Sequence, residues 1–354
     1  MTIFDILQLV IDRNGSDVHV VVGSPPMIRV DGALMPVENT KNLKKEDAET
    51  LIFPLLTQEQ KDYLIVNKET DFGYQFKDQG RFRINVYQQQ GNLSAALRLI
   101  PKRIRSVEEL QLPQIFHTFS QLPQGLVLFV GPTGEGKSTS LAALIEEINT
   151  TQARHILTIE DPIEFVYNPQ RSLISQRSLQ QDTHSWDIAL RSALREDPDV
   201  VLVGEMRDYE TIAATVTIAE TGHLVFATLH TNSASQTVDR IIDVFPEHQQ
   251  GQIRQQLAST LQAIISQRLV PISGGGRVAA AEVLIANSAV RNLIREGKTF
   301  QIDNVIQTAA EEGMISMEAS LVSWVQKGVI APEEARKYTF RPDEFDRLVQ
   351  GKRR

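Results

Sequence analysis

Two rhythms of apolar and polar positions run along this chain, and the change between them falls near residue 125. Ile3 to Asp12 places apolar side chains at 3, 4, 6, 7, 9, 10 and 11, the spacing of an amphipathic helix. Ser16 to Val22 reads as a strand closed by Gly23-Ser24-Pro25-Pro26, and Met27 to Leu34 as a hairpin turning at Asp31-Gly32. Lys45 to Leu56 and Thr57 to Asn67 read as helices, and Thr70 to Phe76, Arg81 to Gln88 and Leu93 to Ile100 as strands. This order predicts a small α+β domain on an antiparallel sheet over residues 1–100.

Pro101, Pro113 and Pro123 punctuate residues 101–123, which read as the connection. Beyond Gly125, strand-like, mostly apolar runs at 126–130, 155–160, 199–203 and 223–229 alternate with helical stretches at 139–149, 186–195 and 208–220. Strands alternating with helices in this way predict a parallel, helix-covered sheet, an α/β domain over residues 124–354. Ser273-Gly274-Gly275-Gly276 leads into a further apolar strand, Ala279 to Leu284, and short helices follow from about residue 286.

Composition narrows function more than fold. At 354 residues the chain exceeds one typical core, and 42% hydrophobic with 23% charged residues is ordinary for a soluble protein. No run approaches the ~18 apolar residues of a membrane span. Met1-Thr2-Ile3-Phe4-Asp5 has no basic region before an apolar segment, so a cytoplasmic location is expected. Zero cysteines exclude disulfides, thiolate catalysis and cysteine-ligated zinc. A net charge of -8 argues against non-specific coating of nucleic acid, so no nucleic-acid partner is expected. The cluster Arg98, Lys102, Arg103 and Arg105 reads as a solvated or phosphate-facing surface.

The chemistry begins at Gly131-Pro132-Thr133-Gly134-Glu135-Gly136-Lys137-Ser138, followed by Thr139, a complete G-x-x-x-x-G-K-[ST] loop between a strand and a helix. Composition alone produces this pattern in roughly one chain of this length in a hundred. Glycines free the backbone N–H groups to turn inward as an anion nest at a helix N-terminus. Lys137 suits the β/γ-phosphates of ATP, and the Ser138 hydroxyl suits Mg²⁺.

Three later segments add polar groups to this loop. Asp199 to Glu205 is an apolar strand ending in a carboxylate; Asp199 stands too far back, and Glu205 stands where an acid holds Mg²⁺ or the attacking water. Ile156 to Glu164 reads as a strand delivering Glu160, Asp161 and Glu164 to the same sheet edge, with the choice among them open. Gly222 to Thr231 is a strand with a histidine at each end. His223 and His230 have opposite strand parity and cannot chelate one ion. His230 suits a γ-phosphate sensor, whereas His223 reads as structural or as a subunit contact.

GPTGEGKST, ILTIEDPIEF, DVVLVGEMRD and ETGHLVFATLHTNSA, in that order and spacing, resemble the secretion ATPases that power type IV pili and type II secretion. The resemblance runs from the SDVHV strand to the C-terminus. It implies a homo-hexameric ring of two-domain subunits, with a PAS-like N-terminal domain before a RecA-like ATPase domain. It implies Glu164 and Glu205 as the working carboxylates, His223 and His230 as paired histidines, and Arg83 and Arg98 as arginines reaching the γ-phosphate, with Arg81 left open. The absent cysteines depart from the four-cysteine zinc element of extension and secretion members. Ser288 to Glu296 resembles instead a segment of pilus retraction ATPases, an amphipathic helix with Leu293 and Ile294 inward and its basic residues outward. Glu135 departs from the serine common in the family's loop, at a position read as contributing mainly backbone. A retraction ATPase acting with an inner-membrane pilus platform protein at the cytoplasmic face of the inner membrane is therefore expected, with an accessory retraction ATPase or a RecA-like nucleic-acid motor as rivals.

Overall fold

Alternation along residues 80–87 places buried side chains on one face and partly exposed ones on the other. The computed structural model describes residues 1–351 except 31, 78 and 101. The first unit comprises Met1–Arg103 with Asp161–Val166 and Ser178–Asp182. Its elements are α1 (Ile3–Asp12), β1 (Asp17–Val20), β2 (Met27–Val30), β3 (Ala33–Pro36), α2 (Lys45–Ile52), α3 (Gln58–Asn67), β4 (Glu69–Phe76), β5 (Gly80–Gln89) and β6 (Asn92–Ile100). Thr2 and Thr57 cap α1 and α3, each in a reciprocal capping box. Among the described residues the strands form an antiparallel sheet ordered β3-β2-β1-β6-β5-β4. Phe82, Ile84 and Val86 of β5 are buried in one cluster with Ile3, Leu7, Val10, Leu51 and Ile52. Arg81, Arg83 and Asn85 alternate with them on the opposite face. The turn expected between β2 and β3 falls on Asp31, outside the described residues.

The second unit comprises Ile104–Glu160, Tyr167–Arg177 and Thr183–Arg354, of which the last three residues are outside the description. It runs α4 (Phe116–Ser120), β7 (Gly125–Val130), α5 (Lys137–Thr151), β8 (His155–Glu160), β9 (Leu173–Ser178), α6 (Trp186–Ala193), β10 (Val200–Val203), α7 (Tyr209–Glu220) and β11 (Leu224–Leu229). There follow α8 (Ala234–Asp243), α9 (Glu247–Thr260), β12 (Leu261–Pro271), β13 (Arg277–Ile285), α10 (Ser288–Glu296), α11 (Ile302–Thr308), α12 (Met317–Gln326), α13 (Pro332–Ala335) and α14 (Pro342–Val349). The sheet order is β13-β12-β7-β11-β10-β8-β9. β7, β8, β10, β11 and β12 pair in parallel, and β13 returns antiparallel to β12. Every residue of β7, β10 and β11 is buried, as expected of strands covered on both faces.

Two departures from the sequence reading have physical causes. The segment read as a connection packs into the second unit: Phe116 lies 5.8 Å from the rings of both Phe119 and Phe129. β8 stops at Glu160 rather than running to Glu164, because Pro162 has no N–H to extend a ladder.

The reading of α10 also needs correcting at Arg291. Arg295 is exposed, but Arg291 is half-buried. Its Nη1 donates to Ala258 O at 2.6 Å and Ser259 O at 3.0 Å, and its Nη2 to Gln262 Oε1 at 3.2 Å. A guanidinium on the last carbonyls of α9 satisfies orphan acceptors and opposes the helix dipole. Arg291→Ala should therefore cost about 1–3 kcal/mol in denaturant unfolding, and Arg295→Ala no more than about 0.5 kcal/mol. Equal costs would remove the cap.

Glu282 on β13 is 0% exposed and accepts a hydrogen bond from Ala234 N, 2.9 Å away in the first turn of α8. Burial pushes its carboxyl up to about 7; Asp303 and Glu318 push the same way, against the Ala234 N–H and Arg341. The ordinary glutamate value is 4.5. The raised value favours the protonated form in the fold, so stability falls as pH rises from 4.5 towards 7 and then levels off. Glu282→Gln cannot ionise and escapes this loss. Its stability relative to the parent should rise between about pH 5 and pH 8, on the order of 2–3 kcal/mol in thermal unfolding. A constant difference would place the titration elsewhere.

Candidate active site

At Val130 the buried strand β7 ends, and the chain turns through the glycine-rich loop into α5. Gly131, Gly134 and Gly136 take φ of 139°, 84° and 82°, values that a side chain resists. Space is short as well: a Cβ at Gly131 would lie 2.6 Å from the backbone oxygen of Gln267, and one at Gly136 would lie 2.8 Å from Gln267 Nε2. Gly136 is the N-cap of α5 and offers no side-chain cap, the arrangement that binds anions at a helix start. Lys137 is 7% exposed and arches back, its Nζ donating to Gly131 O at 2.6 Å and Pro132 O at 2.9 Å. Thr133, Gly134 and Ser138 are exposed, and Thr139 is half-buried in the first turn. The Glu135 carbonyl accepts from Gln267 Nε2 at 2.7 Å, and its carboxylate accepts from Leu269 N. This corrects the expectation that Glu135 contributes mainly backbone.

Register brings two more groups to the same edge. Val130 pairs with Leu229, so His230 leaves β11 beside Gly131, and Val203 pairs with Ala227, so Glu205 follows on the next strand. Ligands bind at such carboxyl ends of parallel strands. His230 Nε2 lies 3.0 Å from Glu205 Oε1, and Arg207 Nε lies 2.9 Å from Glu205 Oε2. Thr228 Oγ1 donates to Gly204 O at 2.6 Å and Met206 N to Thr228 O at 2.9 Å, fixing the turn that carries Glu205. Gly204 lets this turn pass close to β8: a Cβ would lie 3.2 Å from Ile159 O and Glu160 Cα. Asp199 stands at the opposite end of β10, accepting from His155 N at 2.8 Å. His223 Nδ1 sits 3.1 Å from Ile218 O and 3.0 Å from Thr221 Oγ1.

The acidic segment is divided rather than gathered. Glu160 stays with β8, buried and accepting from Thr158 Oγ1 at 2.6 Å. Asp161 and Glu164 fall within the first unit, where Glu164 Oε1 lies 3.7 Å from Arg83 Nη1. Delivery of all three carboxylates by one strand does not occur, because the strand ends before Pro162.

Within the first unit, Arg83 stands directly opposite Arg98, and Arg98 opposite Asp17. Arg83 Nη2 donates to Asp71 Oδ2 at 2.7 Å with Nε at 3.2 Å, and Arg98 Nε donates to Asp17 Oδ1 at 3.0 Å. Burial pulls the Arg83 guanidinium down, but hydrogen bonds and charge from Asp71, with Glu164 and Asp161, outweigh it and hold it above its ordinary value. Arg81 lies across Gly73 of β4, where a Cβ would come within 2.4 Å of Nη2.

Sequence reasoning missed Gln267, Arg207 and the side chain of Glu135. A buried glutamine between a serine and an arginine inside an otherwise apolar strand was the available signal for the first.

The profile of the family described as type II/IV secretion system protein matches residues 2–336. The type IV pilus retractation ATPase PilT of Pseudomonas aeruginosa is 46% identical over 345 residues, covering 98% of this chain and 100% of the relative. A twitching motility protein of Neisseria gonorrhoeae is 51% identical over 313 residues, 88% of this chain and 83% of that one. A crystal structure of the pilus retraction motor PilT with bound ADP superposes with a TM-score of 0.91 at 44% identity, covering 98% of this chain and 99% of that chain. The mixed α/β fold with its parallel sheet accords with these likenesses. This chain belongs to the type II/IV secretion system protein family of ATPases.

Proposed function

We propose that the chain is a hexameric motor that hydrolyses ATP to depolymerise a type IV pilus, working against an inner-membrane platform protein from the cytoplasmic face. The observation that carries this reading is the Glu205–His230 pair, which follows β10 and β11 at the sheet edge where β7 gives way to the glycine-rich loop. Two relatives bear names of pilus retraction and twitching, which supports the direction of the work. Among the described residues no helix is long and apolar enough to cross a membrane, consistent with a peripheral role.

The loop N–H groups and Lys137 bind the phosphates; Glu205 orients the attacking water or a metal-bound one, with Glu164 as the other carboxylate for that task. His230 reads the γ-phosphate through Glu205. Arg83 and Arg98 stabilise charge that develops on the phosphoryl group. The substrate is ATP with Mg²⁺. Among the described residues no three His, Asp or Glu side chains are grouped to hold a metal. The exposed Ser138 hydroxyl and the Glu205 carboxylate are oxygen donors of the kind Mg²⁺ takes beside phosphates, so the residues fit an ion that arrives with the nucleotide.

A strain lacking the chain, examined for pilus number and surface motility, tests the reading. Excess pili that do not retract are the expected result, and bald cells would overturn it. Retained motility with weakened retraction would make it an accessory motor. Phosphate release that DNA stimulates would favour a nucleic-acid motor.

A further inference from the structure

We propose that Gln267 is a positioning residue of the phosphate-binding loop, holding the Glu135–Gly136 peptide so that its N–H faces away from β12 and towards the bound phosphates. β12 pairs with β7 as far as Ser266, opposite Val130. There β7 gives way to the loop, while β12 continues to Pro271 against β13 with Gln267 opposite Ala281. Gln267 is thus the first residue of β12 with no β7 partner, and the loop fills the vacated side.

Both ends of its side chain are engaged at 1% exposure. Nε2 donates to Glu135 O at 2.7 Å, and Oε1 accepts from Ser140 Oγ at 2.8 Å. The Glu135 carbonyl decides the polarity: it can only accept, so the NH₂ faces the loop and Oε1 is left to take the Ser140 hydroxyl. A trans peptide carries its C=O and the following N–H on opposite sides. Drawing the Glu135 carbonyl onto Gln267 therefore turns the Gly136 N–H the other way. The Glu135 carboxylate on Leu269 N is a second tether from the same strand.

Something must select this orientation, because glycine does not. The freedom that lets loop N–H groups turn inward lets them turn outward at similar cost. A motif match supplies mobility, and the strand behind supplies direction.

The inference rests on reading the loop as the nucleotide site. Gln267→Met keeps length and apolar packing and removes both hydrogen bonds. Hexamers of this variant, of Ser140→Ala and of Lys137→Ala should be titrated with a fluorescent ADP and assayed for phosphate release, with thermal unfolding alongside. Contacts to the nest serve ground and transition states alike, so ADP Kd and ATP KM should rise about tenfold in Gln267→Met while kcat stays within about threefold. Ser140→Ala, which frees the amide to rotate, should show a smaller rise of about threefold. A purely structural role would lower the unfolding temperature and leave Kd unchanged; a folded Gln267→Met binding ADP like the parent overturns the inference. If Gln267→Met does not fold, an unchanged Kd in Ser140→Ala overturns it. ADP binding by Lys137→Ala equal to the parent would instead sink the nucleotide reading of the loop itself.

Discussion

Lys137→Ala is expected to abolish ATP turnover while subunits still assemble. The ammonium is buried at the mouth of the loop, held by two loop carbonyls, so its direction is set before any ligand arrives. In a dry site such a charge neutralises phosphate far more effectively than in water. Losing one preorganised contact of this kind commonly removes ~3 kcal/mol or more of transition-state stabilisation, over a hundredfold in rate. The alanine leaves the strands and α5 untouched, so light scattering should report the parent's assembly state. Turnover close to the parent's would remove the loop from the catalytic account.

The second large effect is expected at Glu205→Gln, which should bind ATP as tightly as the parent but hydrolyse it about a hundredfold or more slowly. The amide keeps the shape of the carboxylate and loses its charge. Glu205 offers one oxygen to His230 and the other to Arg207; a glutamine keeps its oxygen for Arg207, which only donates, and can then hold His230 only through an Nε2 that accepts from the NH₂. Rapid-quench hydrolysis with separate ATP-binding measurements distinguishes the cases. If affinity collapses together with turnover, Glu205 serves binding, and Glu164 becomes the carboxylate for the water.

Much of the second unit was legible because its signals are local. β7, β10 and β11 are buried on both faces, so they appear as unbroken apolar runs, and the glycine loop sits between one of them and a helix. Adjacent parallel strands then bring Glu205 and His230 together without further information. What failed was non-local. Residues 231–271 remained unassigned, since Ser266, Gln267 and Arg268 interrupt the apolar pattern of β12 for the sake of partners far away in sequence. Arg291 looks like any outward arginine until the end of α9 is seen beneath it. Glu164 follows a strand but pairs with Arg83 of the N-terminal sheet, a contact that no spacing along the chain encodes.

The clearances behind the loop have a consequence for inheritance. A methyl at Gly131 would strike the main-chain oxygen of Gln267, which no substitution at 267 can move aside; that glycine is fixed by the backbone path itself. A methyl at Gly136 would strike the Gln267 side chain, whose end can be shortened. Its φ of 82° still disfavours any other residue, but by a modest amount compared with a clash. The two glycines of one motif therefore face different selection. Position 131 is closed by main chain, whereas position 136 is closed by a side chain and by its own positive φ, so a smaller residue at 267 would lift one obstacle at 136 and none at 131.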